Sequence, residues 1–416
     1  MAEFSAEGVE VYHRLDDFCI GDTGVVPDYS LYRLDASRNR LELQYFDYRR
    51  RSELLQAPQV FTRLSALPEA CRVPPPEVTP PELFGLVVRS FDRFYRFFDE
   101  RHVDWQASKR AAAQRAAELS SDLEVFELLS EMLAPLSDGH VNMSLGDQFF
   151  NAGRSKLRTR LGDAWKSSGS EQPEGAFVAE WHRSVVESVV VALDPETHRK
   201  GADEAIEWGM IESVGYVRIN RFYGFADGLS RSDQYEVLAE ALSDMRRDLL
   251  EASRLIVDVS MNGGGSDAAA LLVTSYFADR RRLVLTYEAT GAPSQEIYVS
   301  PVAAGESRPV TLLTSEVTAS AAESFVLMMR ALPHVTHAGE QTRGGLSSLL
   351  PKPFPSGLRV TLAYQSVLDA EGVSHEGTGI PPEREMVLFP DADLRGGLVK
   401  AIDQIARGAL PASTGD

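Results

Sequence analysis

From Val214 onward, short apolar runs alternate with helical stretches, and this alternation constrains the fold more than any other feature. Val214-Gly215-Tyr216-Val217-Arg218-Ile219, Leu255-Ile256-Val257-Asp258-Val259 and Val310-Thr311-Leu312-Leu313-Thr314 read as strands. The second of them is a short apolar run with the look of a buried strand. Helical patterns follow at Ala268 to Phe277 and Ala321 to Leu332, and a last one runs from about Asp393 to Ile405. Leu358 to Tyr364 closes the series as an alternating strand. Strands interleaved with helices of this length predict an α/β core over 206–410 with helices packed on a sheet.

The chain before this core reads differently. Val9 to Tyr12, Ser30 to Leu34 and Arg40 to Tyr45 alternate and are separated by turn residues, which predicts a small antiparallel β module over 1–73. A Pro-rich linker runs from Pro74 to Pro81. A helical bundle is expected over 79–145. Thr79 with Pro80 forms a helix start, and Leu83, Phe84, Val87, Phe91, Phe94, Tyr95 and Phe98 recur at helical spacing. Trp105 to Leu119 gives a second helix, and Ser121-Asp122-Leu123-Glu124 caps a third. Residues 146–205 read as a connecting segment, in which 180–193 fits a helix or a strand equally.

The chain has 416 residues and a formal charge of −19 at pH 7. Such an acidic surface repels phosphates, which excludes nucleic acid and anionic membranes as main partners. No apolar stretch reaches the length of a membrane span, and no basic n-region opens the chain, so a cytoplasmic protein is expected. Cys19 and Cys71 are the only cysteines. They cannot form a disulfide framework, and no Cys/His cluster offers a metal site. Two free thiols in a reducing compartment are expected, with a single bridge as the alternative. No cofactor motif is present.

Four constellations could carry chemistry. In Thr318-Ala319-Ser320-Ala321-Ala322-Glu323, Ser320 sits between a strand and a helix, where unpaired N–H groups favour developing negative charge. The same residues also read as a plain capping box. Asn262-Gly263-Gly264-Gly265 follows a buried strand and can turn backbone N–H groups into a cleft, or can simply form a tight turn. Leu136-Ser137-Asp138-Gly139-His140 places a histidine just past a helix, with Gly139 suited to a left-handed position. His375-Glu376-Gly377-Thr378-Gly379 offers a carboxylate that could orient a histidine.

In their order and spacing these blocks resemble the tail-specific protease family, the C-terminal processing peptidases. The resemblance runs from Pro80 to about Gly408, and further blocks are Gly215-Tyr216-Val217-Arg218-Ile219 and Gly339 to Gly345. It implies a crotonase/ClpP-like α/β catalytic core with an N-terminal three-helix bundle and a small N-terminal β module. Where the Ser/Lys branch carries its lysine, this chain has Gly345. Thr342-Arg343-Gly344-Gly345 is instead similar to the tricorn core and interphotoreceptor retinoid-binding branch. That branch implies Ser320 as nucleophile, His140 as base and Glu376 as its support. The implied oxyanion donors are the backbone N–H of Ala321 and of one glycine of the turn, with Gly264 favoured over Gly263 or Gly265. Gly139 replaces the serine that precedes the tricorn-type histidine. The PDZ module of many relatives has no counterpart in 146–205.

Three readings follow. One is a serine peptidase of short or unstructured peptides. The second is a non-catalytic carrier of a lipophilic small molecule, as the retinoid-binding branch implies. The third is an ester or amide hydrolase, or an acyl-transfer enzyme of secondary metabolism. The expected partner is a peptide or a small acyl substrate.

Overall fold

The computed structural model describes residues 2–5, 8–15, 18–22, 31–34, 40–44, 59–62, 64–72, 77–153, 155–290, 293–302 and 305–412. Their helices are α1 (Pro80–Phe94), α2 (Trp105–Ala117), α3 (Asp122–Leu133), α4 (Lys156–Ser168), α5 (Glu174–Val191), α6 (Arg231–Asp248), α7 (Asp267–Ser275), α8 (Ala321–Arg330) and α9 (Gly397–Ala406).

Among the described residues the largest sheet has seven strands, in the order Arg384–Glu385, Val335–Gly339, Val310–Thr314, Arg254–Asp258, Val214–Ile219, Ile206–Ile211 and Arg199–Gly201. The first five run parallel, and the last two add antiparallel pairings. Side chains alternate between the two faces. Val217, Val257 and Leu312 pack with residues of α6, α7 and α8, whereas Tyr216, Ile256 and Leu313 pack with residues of α4, α5 and α9. Both faces are therefore dry, which is why the strands are largely apolar despite Arg218, Asp258 and Thr311. Of segment 180–193, residues 180–191 are helix: Trp181, Val185 and Val189 form the buried stripe of α5 at four-residue spacing.

The strand Arg359–Ala363 does not belong to this sheet. It pairs with Asn142–Leu145 and Leu349–Pro353 in a separate antiparallel sheet, whose fourth strand is Gln148–Asn151. The bundle packs on that sheet: Leu83, Phe91 and Leu129 share a core with Met143, Val360 and Leu362. The hairpin 142–151 thus spans the expected junction at 145/146 and ties the bundle to the core. The connecting segment beyond it holds α4 and α5.

In the N-terminal region Ala2–Ser5, Gly8–Leu15 and Phe18–Asp22 form one antiparallel sheet, and Leu31–Leu34, Arg40–Gln44 and Gln59–Thr62 form another. The expectation of free thiols is corrected here. Cys19 and Cys71 are joined in a disulfide, with Cα atoms 5.0 Å apart, because the strand Phe18–Asp22 lies against the short turn Glu69–Cys71. The bridge closes a 52-residue separation. Cys71→Ser is expected to destabilise this region by about 2–4 kcal/mol, read as an earlier first transition in a urea melt. An unchanged melt would mean the bridge holds nothing.

Candidate active site

The turns that follow two neighbouring parallel strands build the site at their carboxyl ends. After Arg254–Asp258 comes Asn262-Gly263-Gly264-Gly265, and after Val310–Thr314 comes the turn ending in Ser320. Buried Asn262 fixes the first turn: its Nδ2 donates to the carbonyl of Ile219 at 3.0 Å, and its Oδ1 accepts the N–H of Gly264 at 2.8 Å. The hydroxyl of Thr318 donates to the Val259 carbonyl at 2.9 Å, and the N–H of Ala319 donates to the Asn262 carbonyl at 3.2 Å. The two turns are stitched directly to each other.

Ser320 precedes α8 with φ 58° and ψ −131°. An ordinary N-cap residue is extended, and a positive φ in a serine costs on the order of 1–3 kcal/mol. The strain is held by close packing. A Cβ on Gly264 would lie 2.7 Å from the Cβ of Ser320, and Gly264 itself has φ 111°. Nucleophile elbows share such a strained turn between a strand and a helix.

Glu323 does cap, but it does more. It is fully buried, and its Oε2 accepts the N–H groups of Ser320 at 3.2 Å and Gly345 at 2.8 Å. Its Oε1 accepts the Thr342 hydroxyl at 2.6 Å and the Gly344 N–H at 2.7 Å. The N–H of Ser320 also donates to the Gly345 carbonyl at 2.9 Å. One carboxylate therefore clamps the serine turn to the Thr342–Gly345 segment. Burial pushes its pKa up, against the four hydrogen bonds that favour the anion.

His140 reaches the same place from the bundle side. Ser137, with φ 49°, takes the left-handed position expected of Gly139. Gly139 is required for space instead: a Cβ there would lie 3.2 Å from Arg343 Nη2. The N–H of His140 donates to Asp138 Oδ1 at 2.8 Å, and its carbonyl accepts the Thr361 hydroxyl at 2.9 Å. Tyr95 donates its hydroxyl to Asp138 Oδ2 at 2.9 Å. Burial lowers the imidazole pKa, with Asp138 opposing and Arg101 and Arg343 adding to the effect. Its Nδ1 is buried without a hydrogen-bond partner among the described residues. A Cβ on Gly345 would lie 3.9 Å from His140 Cε1 and 4.0 Å from Nδ1. Position 345 thus lies beside both the imidazole and the Glu323 carboxylate, whose Oε2 would also be 3.9 Å from that Cβ.

Ser320, His140, Gly139, Gly263 and Gly265 line one cavity of about 280 Å³, together with Arg101 and Arg343. Gly264 lies beneath it with its N–H taken by Asn262. The N–H groups of Gly263, Gly265 and Ala321 donate to no protein acceptor among the described residues.

Glu376 is buried beside the cavity. Its Oε2 accepts the N–H groups of Leu346 at 2.8 Å and Ser347 at 2.9 Å, and its Oε1 accepts from Arg101 Nη2 at 2.5 Å. It is not hydrogen-bonded to His140. Arg101 also lies 3.7 Å from Asp138 Oδ1 and donates to the Gly344 carbonyl at 2.9 Å. Burial, with the Asp138 carboxylate adding, pushes Glu376 up to about 7, while Arg101 pulls it down. Arg101 and Arg343 are the site residues that sequence reasoning gave no role. Arg343 stands inside the quoted Thr-x-Gly-Gly block, but nothing around Arg101 in the sequence marks it.

Comparison with known proteins places these features in context. The family described as peptidase family S41 matches residues 213–386, and the tricorn protease C1 domain matches residues 76–134. A carboxyl-terminal-processing protease of Synechocystis sp. is 26% identical over 212 residues, which is 50% of this chain and 44% of that protein. The chain thus spans less than half the length of this relative. A structure described as a peptidase from Parabacteroides merdae superposes with a TM-score of 0.60 at 22% identity, covering 79% of this chain and 97% of that one. Mature CPAF gives 0.53 at 12% identity, covering 79% of this chain and 98% of that one. Both share the fold.

Proposed function

Because the chain belongs to peptidase family S41, we propose that it is a serine peptidase acting on short or unstructured peptides through Ser320, His140 and Glu376. The hydroxyl of Ser320 attacks the scissile carbonyl, and His140 takes its proton and passes it to the leaving amine. Water then attacks the acyl-enzyme by the same route and releases Ser320. The N–H of Ala321, at the start of α8, and that of Gly263 or Gly265 hold the oxyanion, since the N–H of Gly264 is already engaged.

The observation that carries this reading is the position of His140 at Gly345. The Ser/Lys branch of the family would have its lysine there, and here a Cβ at 345 would lie 3.9 Å from His140 Cε1 and equally 3.9 Å from Glu323 Oε2. The nearness of His140 to this position supports its role as base, and its lowered pKa favours the unprotonated form that accepts. Glu376 acts at one remove: it holds Arg101, which lies against the Asp138 that fixes the backbone of His140. Besides Ala319 and Leu349, the cavity is lined by arginine, histidine, serine and glycine, which suits a polar amide with a small apolar contact. Digestion of a peptide library by the wild type, with Ser320→Ala as control, tests the reading. Identical product patterns from both would refute it.

A pH profile isolates Glu376. If its ionised form is needed, kcat/KM rises with pH through about 7, where Glu376 loses its proton. In Glu376→Gln that limb should vanish, leaving a rise governed by His140, below its ordinary 6.5. Superimposable profiles would remove Glu376 from the mechanism.

No described helix is long and apolar enough to cross a membrane. The Cys19–Cys71 bridge supports an oxidising compartment over the cytoplasm.

A further inference from the structure

The chain carries 61 acidic and 42 basic side chains, yet among the described residues no carboxylate lines the cavity beside Ser320. Its two guanidiniums differ in their company. Arg101 is neutralised by Glu376 and Asp138. Arg343 has no carboxylate within ion-pair distance among the described residues. One hydrogen bond holds its side chain, from Nη2 to the Gly153 carbonyl at 2.7 Å, and its backbone N–H donates to the Thr318 carbonyl at 3.0 Å. The residue is half-buried, with Gly139 leaving the space in which the guanidinium lies. A guanidinium that forms no ion pair among the described residues, with Glu323, Asp138 and Glu316 acting on it only from beyond ion-pair distance, and that lies in a half-buried recess, attracts an anion more strongly than a surface arginine does. Its planar fork suits a carboxylate.

We propose that Arg343 is a specificity residue that binds a carboxylate of the substrate next to the scissile bond. This carboxylate is either the C-terminal group of the peptide or an aspartate or glutamate side chain. The proposal rests on the peptidase reading of this cavity and adds to it the charge of what enters.

Binding to Ser320→Ala tests the proposal without requiring chemistry. The probes are four pentapeptides with an uncharged N-terminal coumarin, read by fluorescence anisotropy. Two are penta-alanine as free acid and as amide; two are amidated alanine peptides with a central aspartate or asparagine. One charged member is expected to bind roughly tenfold or more tighter than its neutral twin, as a charge-assisted bidentate pair allows. The pair that shows the preference identifies the source of the carboxylate. Adding Arg343→Gln should bring the twins to equal affinity, and Arg343→Lys should restore part of the difference. Loosening of the Gly153 contact would weaken both twins alike, so their ratio reports recognition rather than packing. Equal affinities in Ser320→Ala, no binding of any probe, or a preference that survives Arg343→Gln would overturn the proposal. Fluorophosphonate labelling of the wild type is scored separately. Labelling without a charge preference defeats this proposal alone, and a preference without labelling defeats the peptidase reading.

Discussion

Ser320→Ala is expected to lower peptide turnover by about 10⁴–10⁶-fold, the scale on which loss of a serine nucleophile acts. The fold should survive the change. Alanine keeps the Cβ that packs on Gly264, and it keeps the N–H that donates to Gly345 and Glu323. The positive φ at this position strains alanine and serine alike. A rate loss at unchanged thermal stability is therefore the expected signature. Single-turnover assays with the library-derived substrate measure it. A loss below tenfold would mean that the cavity works without this hydroxyl.

His140→Ala carries the second largest effect, a fall of about 10³-fold or more in kcat/KM. The bonds that fix this turn run through the backbone of residue 140, to Asp138 and Thr361, so truncation leaves them in place. Truncation instead opens a space beside Gly345, enclosed by the bundle and the core. Imidazole added to the assay should enter that space and recover part of the rate. Full activity in the variant would assign the base elsewhere. Loss without rescue, together with a lowered melting temperature, would point to a structural role.

The α/β core was legible because its strands are covered on both faces and include short apolar runs, as Leu255 to Val257 shows. The edge partners were not. Ile206–Ile211 and Arg199–Gly201 contain glycine and charge, and they are defined by their antiparallel pairing. Arg359–Ala363 alternates as a strand should, but alternation does not say which sheet takes it.

At the site, Ser320 and Glu323 read equally as a helix cap. What separates a cap from a nucleophile turn is the φ of Ser320, which follows from packing against Gly264 and is invisible in the residue types. Gly139 was legible as a glycine that matters, but for backbone freedom rather than for the room it leaves Arg343. Glu376 was placed by the family resemblance, while its partner Arg101 lies 275 residues away, on the bundle. The cysteine pair stands 52 residues apart, and composition alone favoured free thiols.

The central claim is that Ser320 is an activated nucleophile, and covalent capture tests it most directly. Wild-type protein treated with a fluorophosphonate should gain a single adduct, assigned by peptide mass mapping to the segment containing Ser320. The adduct should be absent from Ser320→Ala and strongly slowed in His140→Ala. An adduct on another residue, or none on folded wild-type protein, would contradict the account.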